Sequence, residues 1–68
     1  MFTVTVAESN SVERSTFNNL PAAQDYVSTV IDMYQDDGIE LRRSRRMVKV
    51  VDIFQRETVA IIRLEVGN

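Results

Sequence analysis

The side chains most able to do chemistry in this chain are basic ones gathered in its second half. Guanidinium groups hold phosphate through paired, charge-assisted hydrogen bonds, so a dense run of arginines is one sign of a surface that binds nucleic acid. If the segment is extended, Arg43 and Arg45 point to one side and Arg42 and Arg46 to the other, because successive side chains alternate. The basic cluster consists of Arg42, Arg43, Arg45, Arg46 and Lys49.

The distribution of charge offers a second interpretation of the basic cluster. Residues 1–40 carry one basic and seven acidic groups, a net charge of −6, whereas residues 41–68 carry seven basic and three acidic groups, a net charge of +4. The arginines could therefore pair with the acidic half, within the chain or across a homodimer, or keep a sheet edge from aggregating. A pI near 4.9 opposes binding to a polyanion.

Four carboxylates lie close together in sequence near the middle of the chain. Oxygen ligands of this kind suit calcium or magnesium, but the spacing does not match the ligand pattern of an EF-hand loop. We favour a solvated helix end and turn over a metal site. The group consists of Asp32, Asp36, Asp37 and Glu40.

The residue types that most often carry catalysis are scarce. The chain has no His and no Cys, and Lys49 is its only lysine. General acid–base chemistry at neutral pH most often uses His, and a Ser or Thr nucleophile needs an adjacent base. The two glycines, Gly38 and Gly67, are isolated, so there is no glycine-rich loop to cradle a phosphate. We expect a protein that is not an enzyme and has no cofactor.

Hydrophobic periodicity predicts the elements that position these side chains. Apolar residues alternate with threonines over 2–7, which predicts a strand, and the polar run 8–16 predicts a loop. Apolar residues at a 3.6-residue spacing predict a helix near 19–36. Two runs rich in Val and Ile, 47–54 and 58–66, predict a hairpin. The remaining segment between Gly38 and Met47 is either a short extended lead-in or the start of a long second strand.

The ends of the helix are predicted from capping chemistry. Asn18 is a suitable N-cap because its side-chain oxygen can accept a hydrogen bond from a free first-turn N–H. Pro21 fits the first turn, where its missing N–H has no helical partner to lose. Gly38 suits the left-handed position that follows a helix.

Together these elements predict one small α+β domain over residues 1–68, in the order β-α-β-β. One helix would pack on a three-stranded, mainly antiparallel sheet as a two-layer sandwich. One helix cannot cover all the apolar side chains of the last two strands, so a second copy of the chain or the N-terminal loop, through Val12 and Phe17, would have to cover the rest. These side chains are Val48, Val50, Val51, Ile53, Val59, Ile61, Ile62 and Leu64.

The hypothesis that we favour is a small non-enzymatic module that acts through protein–protein contacts, with a homodimer as one form of that contact. The alternative is a nucleic-acid-binding accessory protein that uses the basic cluster. The sequence contains no run of about 18 apolar residues, the length needed to span a membrane. The first residues also lack the basic region of a secretory signal. We therefore expect a cytoplasmic protein with a protein partner and no membrane contact.

Overall fold

One helix and five antiparallel strands make up the structure, a computed structural model that describes residues 1–67. All the strands belong to one sheet, in the spatial order β2-β1-β5-β4-β3. The predicted α+β class, with a helix on an antiparallel sheet, is confirmed, whereas the predicted number of strands is wrong. In chain order the elements are β1 (Phe2–Glu8), β2 (Val12–Phe17), α1 (Leu20–Tyr34), β3 (Ile39–Arg43), β4 (Met47–Asp52) and β5 (Glu57–Val66).

The first additional strand, β2, occupies most of the segment predicted as a loop. It pairs antiparallel with β1 from Phe2 opposite Phe17 to Ala7 opposite Val12. The tight turn between the strands is closed by a hydrogen bond from the Glu8 N–H to the Ser11 carbonyl oxygen (2.8 Å). An edge strand can be polar on both faces, because much of its surface meets solvent. That is why β2 lacks the apolar alternation that identified β1.

The second additional strand, β3, forms the opposite edge and pairs antiparallel with β4. The segment between Gly38 and Met47 is therefore a separate strand followed by a turn, and not part of a long second strand. The turn is closed by a hydrogen bond from the Ser44 N–H to the Met47 carbonyl oxygen (2.9 Å). With both additions the element order is β-β-α-β-β-β rather than β-α-β-β.

Helix α1 begins one residue later than its predicted cap implies. The N-cap is Asn19, whose Oδ1 accepts a hydrogen bond from the Ala22 N–H (2.9 Å), so the prediction of Asn18 is wrong. Pro21 lies in the first turn, as predicted. The helix ends at Tyr34 with an extended C-cap, which places Gly38 beyond it. Gly38 does have a left-handed backbone (φ +84°), but it serves the turn into β3.

The predicted hairpin between the last two strands is present, and its turn is closed by a side chain. Asp52 Oδ1 accepts hydrogen bonds from the N–H groups of Phe54 (2.9 Å) and Gln55 (3.1 Å). Arg56 takes a left-handed backbone (φ 57°) just before β5. A carboxylate that binds backbone N–H groups thus replaces the Asn-Gly pair typical of short hairpins.

The core lies between α1 and one face of the sheet, which we call the inner face. Opposed residues in a register share a face, so Val6 of β1, Ile62 of β5 and Val48 of β4 all point toward the helix. The register shifts between Val50 and Val51, so this apolar pair marks a bulge, and Val51 lies outside the core cluster. The buried core residues are Val4, Val6, Ala23, Val30, Ile31, Val48, Val50, Ala60 and Ile62.

The two residues expected to cover the surplus apolar surface do different things. Phe17 packs on Tyr26 of the helix, with ring centroids 5.2 Å apart. Val12 lies on the outer face of the sheet, opposite Ala7, and stays largely exposed. The N-terminal segment therefore extends the sheet at its edge instead of folding over it.

Candidate functional site

The basic cluster is divided between the two faces of the sheet at β3. Arg42 lies opposite Lys49 on the outer face, whereas Arg43 lies opposite Val48, which is buried on the inner face. The predicted separation of neighbouring arginines is therefore present at this pair. Arg46 does not follow Arg42 as predicted, because residues 44–46 form a turn and Arg46 lines the same groove as Arg43.

The groove lies on the inner face, between α1 and the β3–β4 turn, and has a volume of about 250 Å³. The helix packs chiefly on β1 and β2, which leaves this end of the inner face only partly covered. Apolar side chains that include Val27, Ile31 and Leu64 line the groove together with polar ones. We call it the arginine groove; its polar lining residues are Gln24, Ser28, Arg43, Ser44, Arg45 and Arg46.

On the outer face, cations from four strands come together in the register of the sheet. Thr5 lies opposite both Arg14 and Arg63, so one row carries two arginines separated by one strand, about 10 Å apart at the backbone. The neighbouring row places Arg42 directly opposite Lys49. We call this surface the basic face; it is defined by Arg14, Arg42, Lys49 and Arg63.

Sequence reasoning missed two of these four cations. Arg14 falls in the segment 8–16 that is predicted as a loop, where the direction of its side chain is undetermined. Arg63 stands alone between apolar residues and belongs to no charge cluster. The signal that could have found Arg14 is the spacing of Val12, Arg14 and Thr16, which all point to the outer face of β2.

Carboxylates on the outer face are fewer than cations. Glu40 and Glu65 are the acidic residues that share its registers among the described residues. Glu40 accepts from Arg42 at 3.3 Å, and these two side chains are 50% and 63% exposed. An ion pair so exposed contributes little stability, because water and salt screen it. In the described part of the chain it is the only ion pair, so Arg14, Lys49 and Arg63 are free to meet an external anion.

A shallow depression adjoins the basic face where β4 meets β5. Val51, which is 8% exposed, lies in it together with the half-exposed Ile53. Arg42, Lys49 and Arg56 also line it. Glu57 and Thr58 complete the lining, so the depression combines an apolar base with walls of three cations and one carboxylate.

The helix and the turn after it carry the opposite charge. Asp25, Asp32, Asp36 and Asp37 are all exposed. Within residues 1–67 none of them forms an ion pair with the basic cluster, so the cluster does not balance the acidic helix inside the chain. No group of three or more potential metal ligands is assembled within that range either.

Tyr34 marks the end of the molecule where the helix meets the β1–β2 hairpin. Burial raises the pKa of its hydroxyl to about 12, and a hydrogen bond to Glu8 and the negative charges of Glu8 and Glu13 act in the same direction. A phenol whose pKa is raised remains protonated at neutral pH. Tyr34 therefore behaves here as a neutral hydrogen-bond donor.

The 15-residue helix is the only helix of the described residues, and it lacks the length and the apolar character needed to cross a membrane. The chain matches no family model, no curated protein and no solved structure.

Proposed function

We propose that this protein is a non-enzymatic interaction module that binds an acidic protein surface through the basic face of its sheet. The observation that carries the proposal is the placement of four cations, from β2, β3, β4 and β5, on the side of the sheet opposite the helix. Strands hold these side chains at defined spacings, which favours recognition by shape as well as by charge.

The chemistry of the basic face favours a protein partner over nucleic acid. Apolar and hydroxyl side chains such as Ala7, Ile61 and Thr5 lie between the cations, as in a mixed protein interface. Proteins that bind single strands usually offer aromatic rings for stacking on bases. In the described strands the registers of the basic face contain none. The acidic helix would also repel a polyanion that approached from its side.

The same charges argue against two copies meeting face to face. An isologous dimer through the basic face would place cations opposite cations, and like charges across an interface cost several kcal/mol. A copy that presented its acidic helix would instead make a head-to-tail contact. Repeated contacts of this kind form a ring or an open filament rather than a closed dimer. A different acidic protein therefore fits the surface better than a homodimer.

The test is a salt-dependent binding assay with two kinds of probe. A fluorescent peptide rich in Glu and Leu and fluorescent oligonucleotides, duplex and single-stranded, would be titrated with the protein. Reversing two charges of the basic face, in the double variant R14E/R63E, should weaken peptide binding at least about tenfold, because attraction becomes repulsion. The matched control is R45E/R46E, which changes the net charge equally but lies in the arginine groove. It should change peptide affinity by no more than about twofold.

Three outcomes decide between the hypotheses. Tighter binding of an oligonucleotide than of the peptide at physiological salt, lost in R14E/R63E, would establish the nucleic-acid alternative. A concentration-dependent dimer in sedimentation equilibrium, abolished by R14E/R63E, would establish self-association through this face. Equal loss of peptide binding in R14E/R63E and R45E/R46E would show that only net charge matters and would overturn the proposal. Both variants must keep the melting temperature of the parent.

A further inference from the structure

The arginine groove is a second surface with its own chemistry, and it lies on the other side of the sheet from the basic face. Its floor is apolar and includes Val48 and Ile62, which are 8% and 1% exposed. Its rim carries guanidinium, hydroxyl and amide groups. A concave site with an apolar floor and a few convergent polar groups is the usual form of a small-molecule site.

The charge of the groove is one-sided. Three arginines line it, Arg43, Arg45 and Arg46, and no carboxylate is among its lining residues. Carboxylates outnumber basic groups in the chain as a whole, 10 to 8. In the described part of the chain none of the three arginines forms an ion pair. Their charge is therefore available to an anion that enters the groove.

The backbone that carries these arginines is held on both sides. The Ser44 N–H donates to the Met47 carbonyl oxygen at 2.9 Å, which closes the turn. The Leu64 N–H of β5 donates to the Arg46 carbonyl oxygen at 2.7 Å, which ties the turn to the centre of the sheet. A site on a tied turn loses less conformational entropy on binding than one on a free loop.

We infer that the arginine groove binds a small molecule that carries a phosphate group on a short apolar body. Three guanidinium groups match the two negative charges of a phosphate monoester better than the single charge of a carboxylate. The apolar body would rest on Val27 and Leu64, and the hydroxyl of Ser28 lies within the same lining. The volume of about 250 Å³ is below the usual range for drug-sized ligands, so the apolar body must be small.

The experiment uses phenyl phosphate as the probe, followed by the amide resonances of the ¹⁵N-labelled protein. We expect saturable shifts at residues 43–47 and at Ser28, and an affinity at least about fivefold higher than that of inorganic phosphate, because the ring buries apolar surface. Phenol, which lacks the phosphate, should leave these resonances unchanged at the same concentration. Equal affinity for phenyl phosphate and inorganic phosphate would overturn the inference, since it would show that the apolar floor contributes nothing.

Two matched variants test which cations are responsible. R45A/R46A should weaken phenyl phosphate binding at least about tenfold, because charge-assisted hydrogen bonds to phosphate are lost. The control K49A/R63A removes the same number of charges from the basic face and should change affinity by no more than about twofold. Equal weakening in both variants would overturn the inference, as would the absence of saturable binding of phenyl phosphate to the parent protein up to about 10 mM. The peptide assay reads the basic face separately, so failure of one proposal does not affect the other.

Discussion

The two faces of the sheet are built from alternate residues of the same strands, yet they differ in burial and in polarity. On β1, Val4 is fully buried and points toward the helix, whereas its neighbour Thr5 is half-buried and points outward. On β5, Ile62 and Arg63 show the same contrast. One helix accounts for the difference, because it removes water from the inner face alone.

The two faces therefore contribute differently to stability and to binding. Core side chains of the inner face determine stability, because truncating them leaves cavities that the fold cannot fill. Exposed side chains of the outer face can change with little cost to folding, because exposed substitutions usually alter stability by less than about 0.5 kcal/mol. The outer face is therefore where a binding function can reside without weakening a small domain.

The adjacent isoleucines of β5 offer the sharpest test of this division. Ile62→Ala should lower the free energy of unfolding by about 3 to 4 kcal/mol, because a fully buried aliphatic side chain is lost from the core. Ile61→Ala, on the half-buried outer face, should cost about 1 kcal/mol or less. Urea unfolding measures both values. An equal loss in the two variants would break the comparison, because it would mean that the outer face is covered in solution.

A smaller effect is expected at Gly38, beside the turn that leads into the β3 edge. Gly38→Ala should destabilise the protein by about 2 kcal/mol, since a left-handed backbone is strained for a residue with a Cβ. The new Cβ would also overlap the ring of Phe54, which is 78% exposed and can move. Gly67→Ala is the control, because its Cβ would approach nothing closer than 3.8 Å.

The double variant G38A/F54A separates the two causes. It should recover the part of the loss that comes from the ring and leave the part that comes from the backbone. Full recovery of the parent melting temperature would contradict the assignment of most of the cost to the left-handed conformation.

The helix that makes the faces different depends on its cap. Asn19→Ala should cost about 1 kcal/mol, because the Ala22 N–H loses its side-chain acceptor. Asn18→Ala should change the melting temperature little, because Asn18 is exposed and outside the capping interaction. Thermal unfolding of the two variants compares them directly. A larger loss for Asn18 would move the start of the helix back to the position predicted from sequence.

The ionisation of Tyr34 is expected to have the smallest effect on stability at neutral pH, because its phenol is protonated in both the folded and the unfolded chain. Its pKa is raised from 10.0 to about 12 on folding. Above pH 10 the unfolded chain loses this proton before the folded protein does. The contribution of Tyr34 to stability is therefore complete below pH 10 and is lost as the pH rises toward 12. Ultraviolet titration of Y26F, which retains Tyr34 as its only tyrosine, should give a midpoint near 12.

Removing the neighbouring carboxylate provides the control for this titration. Glu8→Gln in the Y26F background should lower the midpoint, because the charge that opposes the phenolate is gone. A midpoint near 10 in Y26F itself would mean that Tyr34 is neither buried nor close to Glu8 in solution.

Local sequence patterns were sufficient wherever one face of an element is buried by a single partner. The helix stripe and the alternation in β1 predicted those elements to within two residues, because burial imposes a period that can be read along the chain. The edge strands were not predicted, because burial does not impose such a period on them. In β2, Glu13 and Arg14 are both exposed, so no period is imposed on the strand.

The basic cluster was predicted as one site, and the structure divides it into two surfaces. Arg42 joins Lys49 on the basic face through its pairing register, whereas Arg45 lines the groove beneath the helix. Alternation separates Arg42 from Arg43, but no local pattern tells which of the two faces the helix, since a one-residue change of register would exchange the faces. Arg63 lies beside the cluster through the β4–β5 hairpin, where it is opposite Met47. Arg14 shares this face with the cluster only because β1 and β5, far apart in the chain, are neighbours in the sheet.

The sequence by itself determined the α+β class, the composition without His or Cys, and the separation of an acidic first half from a basic second half. These are properties of local pattern and of summed charge, which do not depend on how distant segments pair. Tertiary structure alone decided that the sheet has five strands, which face carries each arginine, and that the helix leaves a groove at one end. Those outcomes depend on long-range strand pairing, in which the partner of a residue lies many positions away and only the assembled sheet selects it.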